Sequence, residues 1–375
     1  MIIEASASAS ASAAAAVAAA VAGAWVLRSL AHAAILRGLR APRLPHKLGP
    51  PTHGVADDAV REVRMAGLGG KQLFGWMVSP SPGVRHPVPA VLVMHGWGAN
   101  ASMMSSVIPP LHAAGFAVLL LDARCHGESD DESFTSMPRF AEDIAAGLAW
   151  LRLQPDIDAH RLSLIGHSVG AAAALLHASQ HDDVRAVVSL SAFAHPREVM
   201  RRFMAEKRVP YPLLGWYVMR HVQNVIGVSF DAIAPIHTIA RVRCPTLLVH
   251  GSEDDTVPVA DAERLLAASS HARMLLVQGD HDLRAAVSVH GQALVEFLQA
   301  ACVPPLEAPC DGEASAPLLA GPATGLLAEA ATPAMTPATA RLCAGDVAQP
   351  HASDALNGAA AQNARCALSC GPDRR

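Results

Sequence analysis

Residues 161–178 read RLSLI-GHSVG-AAAALLHA, and this stretch decides the fold. Its first five residues form a short apolar run typical of a buried strand, and its last eight have the composition of a helix. Between them, Ser168 occupies the centre of a G-x-S-x-G pattern, in which a serine sits on a sharp, strained turn from strand to helix. Gly166 and Gly170 lack a Cβ, so strand and helix can pass closely. The stretch therefore predicts a nucleophilic serine at the edge of a sheet.

Composition divides the chain of 375 residues into three parts. Residues 52–302 have the length and the alternating patterns of one α/β domain. Residues 1–51 form an apolar, alanine-rich segment that ends in a proline-rich linker. Residues 303–375 are rich in proline, alanine and glycine without a sustained period, which predicts a disordered tail. The formal net charge of −4 includes no basic excess, so nucleic acid is not expected as a partner.

The cysteines indicate neither a disulfide framework nor a metal site. There are seven, an odd number, and only Cys125 and Cys244 lie well inside the domain. This distribution favours a reducing compartment. Cys366 and Cys370 have no second pair of ligands beside them, so zinc binding is not expected there.

The N-terminal segment has the length and composition expected of a membrane anchor. Residues 5–27 carry no charge and are long enough to span a bilayer, although alanine contributes little transfer energy. The cations follow this span, beginning at Arg28, so the positive-inside rule places the domain at the cytoplasmic face if the segment inserts. A cleaved export signal and a disordered extension are the alternatives; only Glu4 carries an early side-chain charge, where a signal would have cations.

Apolar runs and helical periods alternate along the domain. Strands are expected at 60–65, 72–78, 90–94, 117–121, 161–165, 184–190, 246–250 and 273–277, and helices at 103–114, 140–153, 260–268 and 283–300. The first two strands form a hairpin, and the continuous apolar runs after them are typical of parallel strands buried on both faces. We therefore expect an α/β fold with a mostly parallel sheet flanked by helices.

Residues 193–235 interrupt this alternation with aromatic and aliphatic side chains among arginines and lysines. Because they follow the strand after the serine turn, we expect a small helical cap whose apolar side chains line a substrate entrance. The alternative is an amphipathic helical excursion with a solvated charged face.

A serine hydroxyl needs a base within hydrogen-bond reach and an acid that orients the base. Asp254 lies in a turn after the strand at 246–250, and His281 lies in the loop after the last strand. The order Ser168, Asp254, His281 is the one expected for a G-x-S-x-G hydrolase. Asp254 is favoured as the acid by the spacing of Gly251 to Pro258, with its neighbours Glu253 and Asp255 as alternatives.

An oxyanion requires two backbone N–H donors. One is expected from Val169, directly after the serine, and the other from Trp97 in the loop His95-Gly96-Trp97-Gly98. The glycines of that loop let it turn beneath a substrate carbonyl, and His95 is interpreted as structural.

Together these motifs resemble the α/β-hydrolase superfamily over residues 58–300. The matching stretches are His95–Gly98, Asp122–Ser129, Gly166–Gly170, Gly251–Pro258 and Gly279–His281. The chain is similar to bacterial esterase, lysophospholipase-like and serine aminopeptidase-like members. The resemblance implies an eight-stranded sheet and hydrolysis without a metal or organic cofactor. Cys125 departs from the pattern, which usually has glycine there, and a positive φ at this position costs about 1 kcal/mol.

The leading functional hypothesis is a serine hydrolase that cleaves small-molecule carboxylic esters, with an apolar acyl group suggested by the cap. A peptidase or amidase of the serine aminopeptidase type is one alternative. A non-catalytic binding protein on the same fold is another, because a fold alone does not define a function. Serine rather than aspartate or cysteine at the turn disfavours a dehalogenase or an acyl polymerase.

Overall fold

The computed structural model describes residues 2–46 and 55–302, with side chains from residue 14 onward. The expected disordered tail at 303–375 and the pair Cys366 and Cys370 lie outside the described residues, as does the end of the proline-rich linker.

An eight-stranded sheet forms the centre of the domain. Its strands are β1 (Val60–Ala66), β2 (Gln72–Val78), β3 (Val88–Met94), β4 (Ala117–Leu121), β5 (Ile157–His167), β6 (Val187–Leu190), β7 (Thr246–Gly251) and β8 (Ala272–Val277). They lie in the order β1-β2-β4-β3-β5-β6-β7-β8. The β1–β2 and β2–β4 pairs are antiparallel and all others are parallel. The predicted eight-stranded, mostly parallel sheet is thus confirmed.

Helices cover both faces of this sheet. The described helices are α1 (Ile2–Gly38), α2 (Ile108–Ala113), α3 (Met137–Arg152), α4 (Val169–Ala178), α5 (Pro196–Glu206), α6 (Trp216–Ile226), α7 (Phe230–Ile233), α8 (Pro235–Thr238), α9 (Val259–Ala267) and α10 (Arg284–Cys302). Leu92 pairs in register with Leu119 and packs in one apolar cluster with α3 and α4. Its neighbour Val93 pairs with Leu120 and packs in a second cluster with α2 and α10. Alternate residues of β3 therefore serve opposite faces.

One predicted helix is shorter than expected. Instead of a helix over 103–114, a 3₁₀ segment spans Ala101–Val107 and α2 begins only at Ile108. Pro109 and Pro110 explain the boundary, because proline has no N–H to donate within a helix but is tolerated in its first turn.

The region predicted as a cap is helical. It contains α5, a π-helical turn at Tyr211–Gly215, and α6 to α8, all between β6 and β7. Its small apolar core consists of Met204, Met219, Val222 and Phe230.

The chain between α1 and the domain packs against the domain, an arrangement that composition did not indicate. We call residues 39–46 the strap. Arg43 donates hydrogen bonds to the carbonyl oxygens of Gly127 and Ser129, at 2.9 and 2.8 Å. His46 packs beside the Trp76 ring, and its Nε2 lies 3.0 Å from Asp122 Oδ2.

Asp122, at the end of β4, joins the strap to two loops. Its Oδ1 accepts from the N–H of Ala101 at 2.7 Å, and its Oδ2 accepts from the N–H of Glu128 at 2.8 Å. Burial opposes the charged form of this side chain. The contacts with His46, the nearby His95 and the N–H of Ala101 outweigh burial, so the pKa of Asp122 lies below its ordinary value.

We predict that Asp122→Ala lowers the free energy of unfolding by about 3 kcal/mol at neutral pH, because the buried N–H of Ala101 and the partly buried N–H of Glu128 lose their acceptor. The loss should be measured by chemical denaturation of the full chain in detergent. Because folding lowers the pKa of Asp122, its carboxylate stabilises the protein above the unfolded-state pKa, and this contribution is lost as the pH falls through the folded-state pKa. The difference in the free energy of unfolding between wild type and variant should therefore shrink toward acid pH.

Asp156→Ala is the matched control, since that side chain is 74% exposed. Equal losses in the two variants would contradict the assignment.

Candidate active site

Ser168 sits on a strained turn between β5 and α4. Its backbone has φ 53° and ψ −115°, outside the regions that a serine ordinarily adopts. A Cβ on Gly166 would lie 2.4 Å from the carbonyl oxygen of Gly170, and one on Gly170 would lie 2.4 Å from that of His95. Both glycines are therefore required by close backbone approaches, as the sequence pattern suggested.

The structure brings the three predicted triad residues together. Ser168 Oγ lies 3.0 Å from His281 Nε2, and His281 Nδ1 lies 2.8 Å from Asp254 Oδ2. The serine follows β5, the aspartate follows β7 and the histidine follows β8. Parallel strands end at the same edge of the sheet, which is why residues 113 positions apart in the chain meet.

Asp254 is fully buried and held by its own turn. Its Oδ1 accepts from the N–H groups of Thr256 and Val257, at 3.0 and 2.7 Å. Burial raises the pKa of Asp254, but the hydrogen bonds from His281 and Val257 outweigh it and the pKa is lowered overall. The alternatives point elsewhere: Glu253 accepts from Gln278 and Asp255 faces Thr256.

His167, next to the serine, holds the backbone of the base. Its Nε2 lies 2.7 Å from the carbonyl oxygen of His281, which can only accept, so Nε2 carries the proton. Burial lowers the pKa of His167 to about 4, which keeps the ring neutral at physiological pH. Sequence reasoning did not identify this residue, because a histidine inside the G-x-S-x-G pattern gives no signal of a partner in a distant loop.

The loop after β3 lies directly against the serine. A Cβ on Gly96 would lie 3.2 Å from Ser168 Cβ, so the residue before Trp97 lies against the serine side chain. Val169 is the first residue of α4, and N–H groups in the first turn of a helix have no acceptor within the helix. The two predicted oxyanion donors thus belong to backbone segments that flank Ser168.

Two buried, neutral histidines fix this loop, and sequence reasoning missed the second of them. His95 donates from Nδ1 to the carbonyl oxygen of Gly96 at 2.7 Å and accepts from the N–H of Ala123 at Nε2. His126 accepts from the N–H of Gly98 at 3.1 Å. Burial lowers the pKa of both rings, that of His126 to about 3. Each ring can therefore present one donor and one acceptor.

Cys125 adopts φ 67°, the left-handed conformation in which the sequence pattern usually has glycine. Its N–H donates to the carbonyl oxygen of Asp130 at 2.9 Å, which helps to hold the turn. The side chain is buried, and burial raises the pKa of its thiol, so it is not an activated nucleophile.

The arrangement has the parts that acyl transfer requires. A hydroxyl, an imidazole and a buried carboxylate form one hydrogen-bonded chain, and Val169, whose N–H is a predicted oxyanion donor, directly follows the serine at the start of α4. Among the described residues, no group of three His, Cys, Asp or Glu side chains has the geometry to hold a metal ion.

Comparison with known proteins agrees with this architecture. A family model described as alpha/beta hydrolase fold matches residues 89–208. Rv2307c of Mycobacterium tuberculosis, an uncharacterised protein, is 33% identical over 219 residues, which are 58% of this chain and 70% of the relative. YfhR of Escherichia coli, also uncharacterised, is 24% identical over 255 residues, which are 66% of this chain and 83% of the relative. The solved structure of the Pyrococcus furiosus esterase Pf2001 superposes with a TM-score of 0.55 at 21% identity, covering 70% of this chain and 97% of that one.

Gly170→Ala should abolish the reactivity of Ser168 with a fluorophosphonate probe, because the new Cβ would force β3 and α4 apart at the serine turn. Labelling of the purified full chain measures this directly. Ala174→Gly, on the same helix, is the control: it weakens the helix by about 1 kcal/mol without touching the turn. Labelling retained by Gly170→Ala, or lost equally in the control, would contradict the proposed role of the close approach.

Proposed function

Because this chain belongs to the α/β-hydrolase superfamily, we propose that it is a serine hydrolase that cleaves carboxylic esters through an acyl-enzyme intermediate. The observation that carries the proposal is the hydrogen-bonded chain from Ser168 through His281 to Asp254, with distances of 3.0 and 2.8 Å. The strained backbone of Ser168 adds support, since strain of this kind concentrates at functional sites.

In the first half-reaction, Ser168 Oγ attacks the carbonyl carbon of the ester while its proton passes to His281 Nε2. The carbonyl oxygen becomes an oxyanion and accepts from the N–H groups of Trp97 and Val169. Collapse of this intermediate breaks the bond to the alcohol oxygen, which leaves with the proton of His281. Asp254 orients the imidazole and stabilises its charged form.

In the second half-reaction, a water molecule gives its proton to His281 and attacks the acyl group on Ser168. The bond to Oγ breaks, the carboxylic acid leaves and the serine regains its proton. His167 contributes by holding the carbonyl oxygen of the His281 backbone, so that the ring stays in reach of both partners. No step draws on a metal or an organic cofactor.

The substrate that we propose is a small-molecule ester with an apolar acyl group, and not nucleic acid. An aminopeptidase would need a free carboxylate in the cap to bind a substrate ammonium group. Glu198 is paired with Arg264 at 2.8 Å, and Asp231 contacts both His195 and Arg197. Two of the cap's acidic side chains are therefore already engaged, which favours the ester over the peptide.

On p-nitrophenyl esters of increasing acyl length, the full chain should show turnover that Ser168→Ala reduces by at least about a thousand-fold. Asp255→Ala, one residue from the proposed acid, should retain turnover, while Asp254→Ala should lose most of it. Aminoacyl p-nitroanilides assayed in parallel test the peptidase alternative.

Turnover of anilides alone would replace the esterase proposal with the peptidase. If wild type neither hydrolyses these substrates nor reacts with a fluorophosphonate, the non-catalytic binding role takes its place.

We further propose that α1 anchors the protein at the cytoplasmic face of a membrane. Within α1, the stretch Ala14–Gly38 contains an 18-residue window with a mean hydropathy of 1.7, long and apolar enough to cross a membrane, and the uncharged part of this stretch ends at Leu27. Val21, Trp25 and Leu27 are 63 to 69% exposed, which is costly in water and suits lipid. A signal sequence also fits these observations, and it would make the protein an exported one.

Val21→Arg should release the protein from membranes into the soluble fraction after alkaline carbonate washing, because a central arginine opposes insertion by about 3 kcal/mol. Leu30→Arg is the matched control, since Leu30 is equally exposed but lies beyond Arg28. Intact mass measurement must find α1 retained; a mature protein that lacks it would support the export signal instead.

A further inference from the structure

The C-terminal end of α1 packs against the cap. His32 Nδ1 lies 2.9 Å from His221 Nε2 on α6, and the two rings meet edge to face. One turn further on, Ile35 and then Leu39 pack against the apolar core of the cap. Helix α1 is therefore not a free leader: its last turns are part of the packing that holds the cap.

This contact places the cap close to the bilayer surface, if α1 is the anchor proposed above. The uncharged span ends at Leu27, and His32 follows five residues later, about 8 Å along the helix axis. The polar head-group layer of a bilayer is itself about 5 to 8 Å thick. The cap is thus held where the head groups end.

The cap carries an exposed apolar surface in its 203–216 segment. We call it the cap patch; its members are Phe203 (51% exposed), Tyr211 (36%), Leu213 (84%), Leu214 (50%) and Trp216 (63%). Five large apolar side chains exposed within fourteen residues exceed the scattered exposure that is normal for a soluble surface. Two of them, Tyr211 and Trp216, are the residue types that concentrate at membrane interfaces.

Cations accompany the aromatic rings of the cap patch. The Arg201 guanidinium lies 4.6 Å from the centre of the Tyr211 ring, and Lys207 Nζ lies 5.6 Å from that of Phe203. Arg208 and Arg220 are also exposed nearby in the chain. Rings that enter the acyl boundary, with cations reaching back to phosphate, are the pattern of interfacial binding to anionic lipid.

We propose that the cap patch is a second membrane contact, which inserts into the surface of the same bilayer that α1 spans and prefers anionic phospholipid. A lipid surface is favoured over a protein partner because the patch belongs to the domain that α1 itself holds at the head-group layer. The proposal rests on the anchor and deepens the proposed function.

The consequence for the substrate follows from the strap. Pro42, four residues after the end of α1, contacts Gly98 of the loop beside Ser168; a Cβ on that glycine would lie 3.0 Å from the proline ring. Four extended residues span at most about 14 Å. With the cap patch inserted, Ser168 would therefore lie within reach of an amphiphilic ester held in the bilayer, and we propose this class of substrate.

The five tryptophans of the chain provide a test of the insertion. The full chain is reconstituted into vesicles of phosphatidylcholine and phosphatidylglycerol, part of whose lipid is brominated near the head-group end of the acyl chains. Bromine should quench part of the tryptophan emission of the wild-type protein, and this quenched part should be absent from Trp216→Phe. Trp25→Phe should separately lose a quenched component that arises in α1, because Trp25 lies two residues inside the end of the uncharged span, and Trp150→Phe, on α3, should lose neither.

The outcomes separate the anchor from the cap. If Trp25→Phe abolishes the quenching and Trp216→Phe leaves it unchanged, the anchor is kept and the cap contact is overturned. A second copy of the chain that shields Trp216 from lipid would also overturn the cap contact. If neither Trp25→Phe nor Trp216→Phe loses a quenched component, both the anchor and the cap contact are overturned. Esterase activity plays no part in this measurement, so its result is independent of the proposed reaction.

Hydrolytic activity toward membrane-bound and water-soluble esters provides a second test. Leu213→Asp should lower kcat/KM for an ester embedded in vesicles about ten-fold more than it lowers kcat/KM for a water-soluble ester, and ten-fold is the value of one buried leucine. Leu153→Asp is the matched control, because Leu153 is 81% exposed at the end of α3. Equal effects of Leu213→Asp on both substrates would contradict a membrane role for the patch.

Discussion

The site depends on one close crossing of backbones. Gly166 and Gly170 let β5 and α4 approach so tightly that Ser168 is held at φ 53°, with its hydroxyl directed at His281. Strain of this kind costs about 1 to 3 kcal/mol and persists only where the surrounding packing fixes the backbone. Here the surroundings are the buried residues 90–94 of β3 and 162–166 of β5 on one side and the alanine-rich face of α4 on the other. Small side chains on that helix bring it close enough to hold the turn.

Around this crossing, neutral histidines hold the loops in position. Charged groups at the same places would incur a desolvation penalty. His95 and His126 connect the loop after β3 to the loop after β4, and His167 fixes the loop after β8. Burial lowers the pKa of all three, so each keeps one donor and one acceptor in a place that excludes water. Two buried carboxylates complete this framework, Asp254 and Asp122, and each accepts two backbone N–H bonds.

Much of the fold could be predicted because continuous apolar runs identify strands buried on both faces. The triad candidates were predicted from their order along the chain and from their positions in loops that follow strands at the same edge of the sheet. What the sequence could not reveal depends on contacts between distant segments. The strap has no hydrophobic period, so nothing predicted that His46 would reach Asp122 or that Pro42 would touch Gly98. A helix was expected over 103–114, whereas α2 begins only at Ile108, because Pro109 and Pro110 fit only the first turn of a helix.

The strap also has a practical consequence for how the protein is produced. Deleting the N-terminal segment to obtain a soluble domain would remove the His46 contact with Asp122, the two arginine hydrogen bonds to the 127–129 turn and the apolar side chains that complete the cap core. A trimmed protein would fold around the same sheet but with a loosened loop beside its serine. Measurements on such a truncated form would describe a less organised site than the one that the whole chain builds.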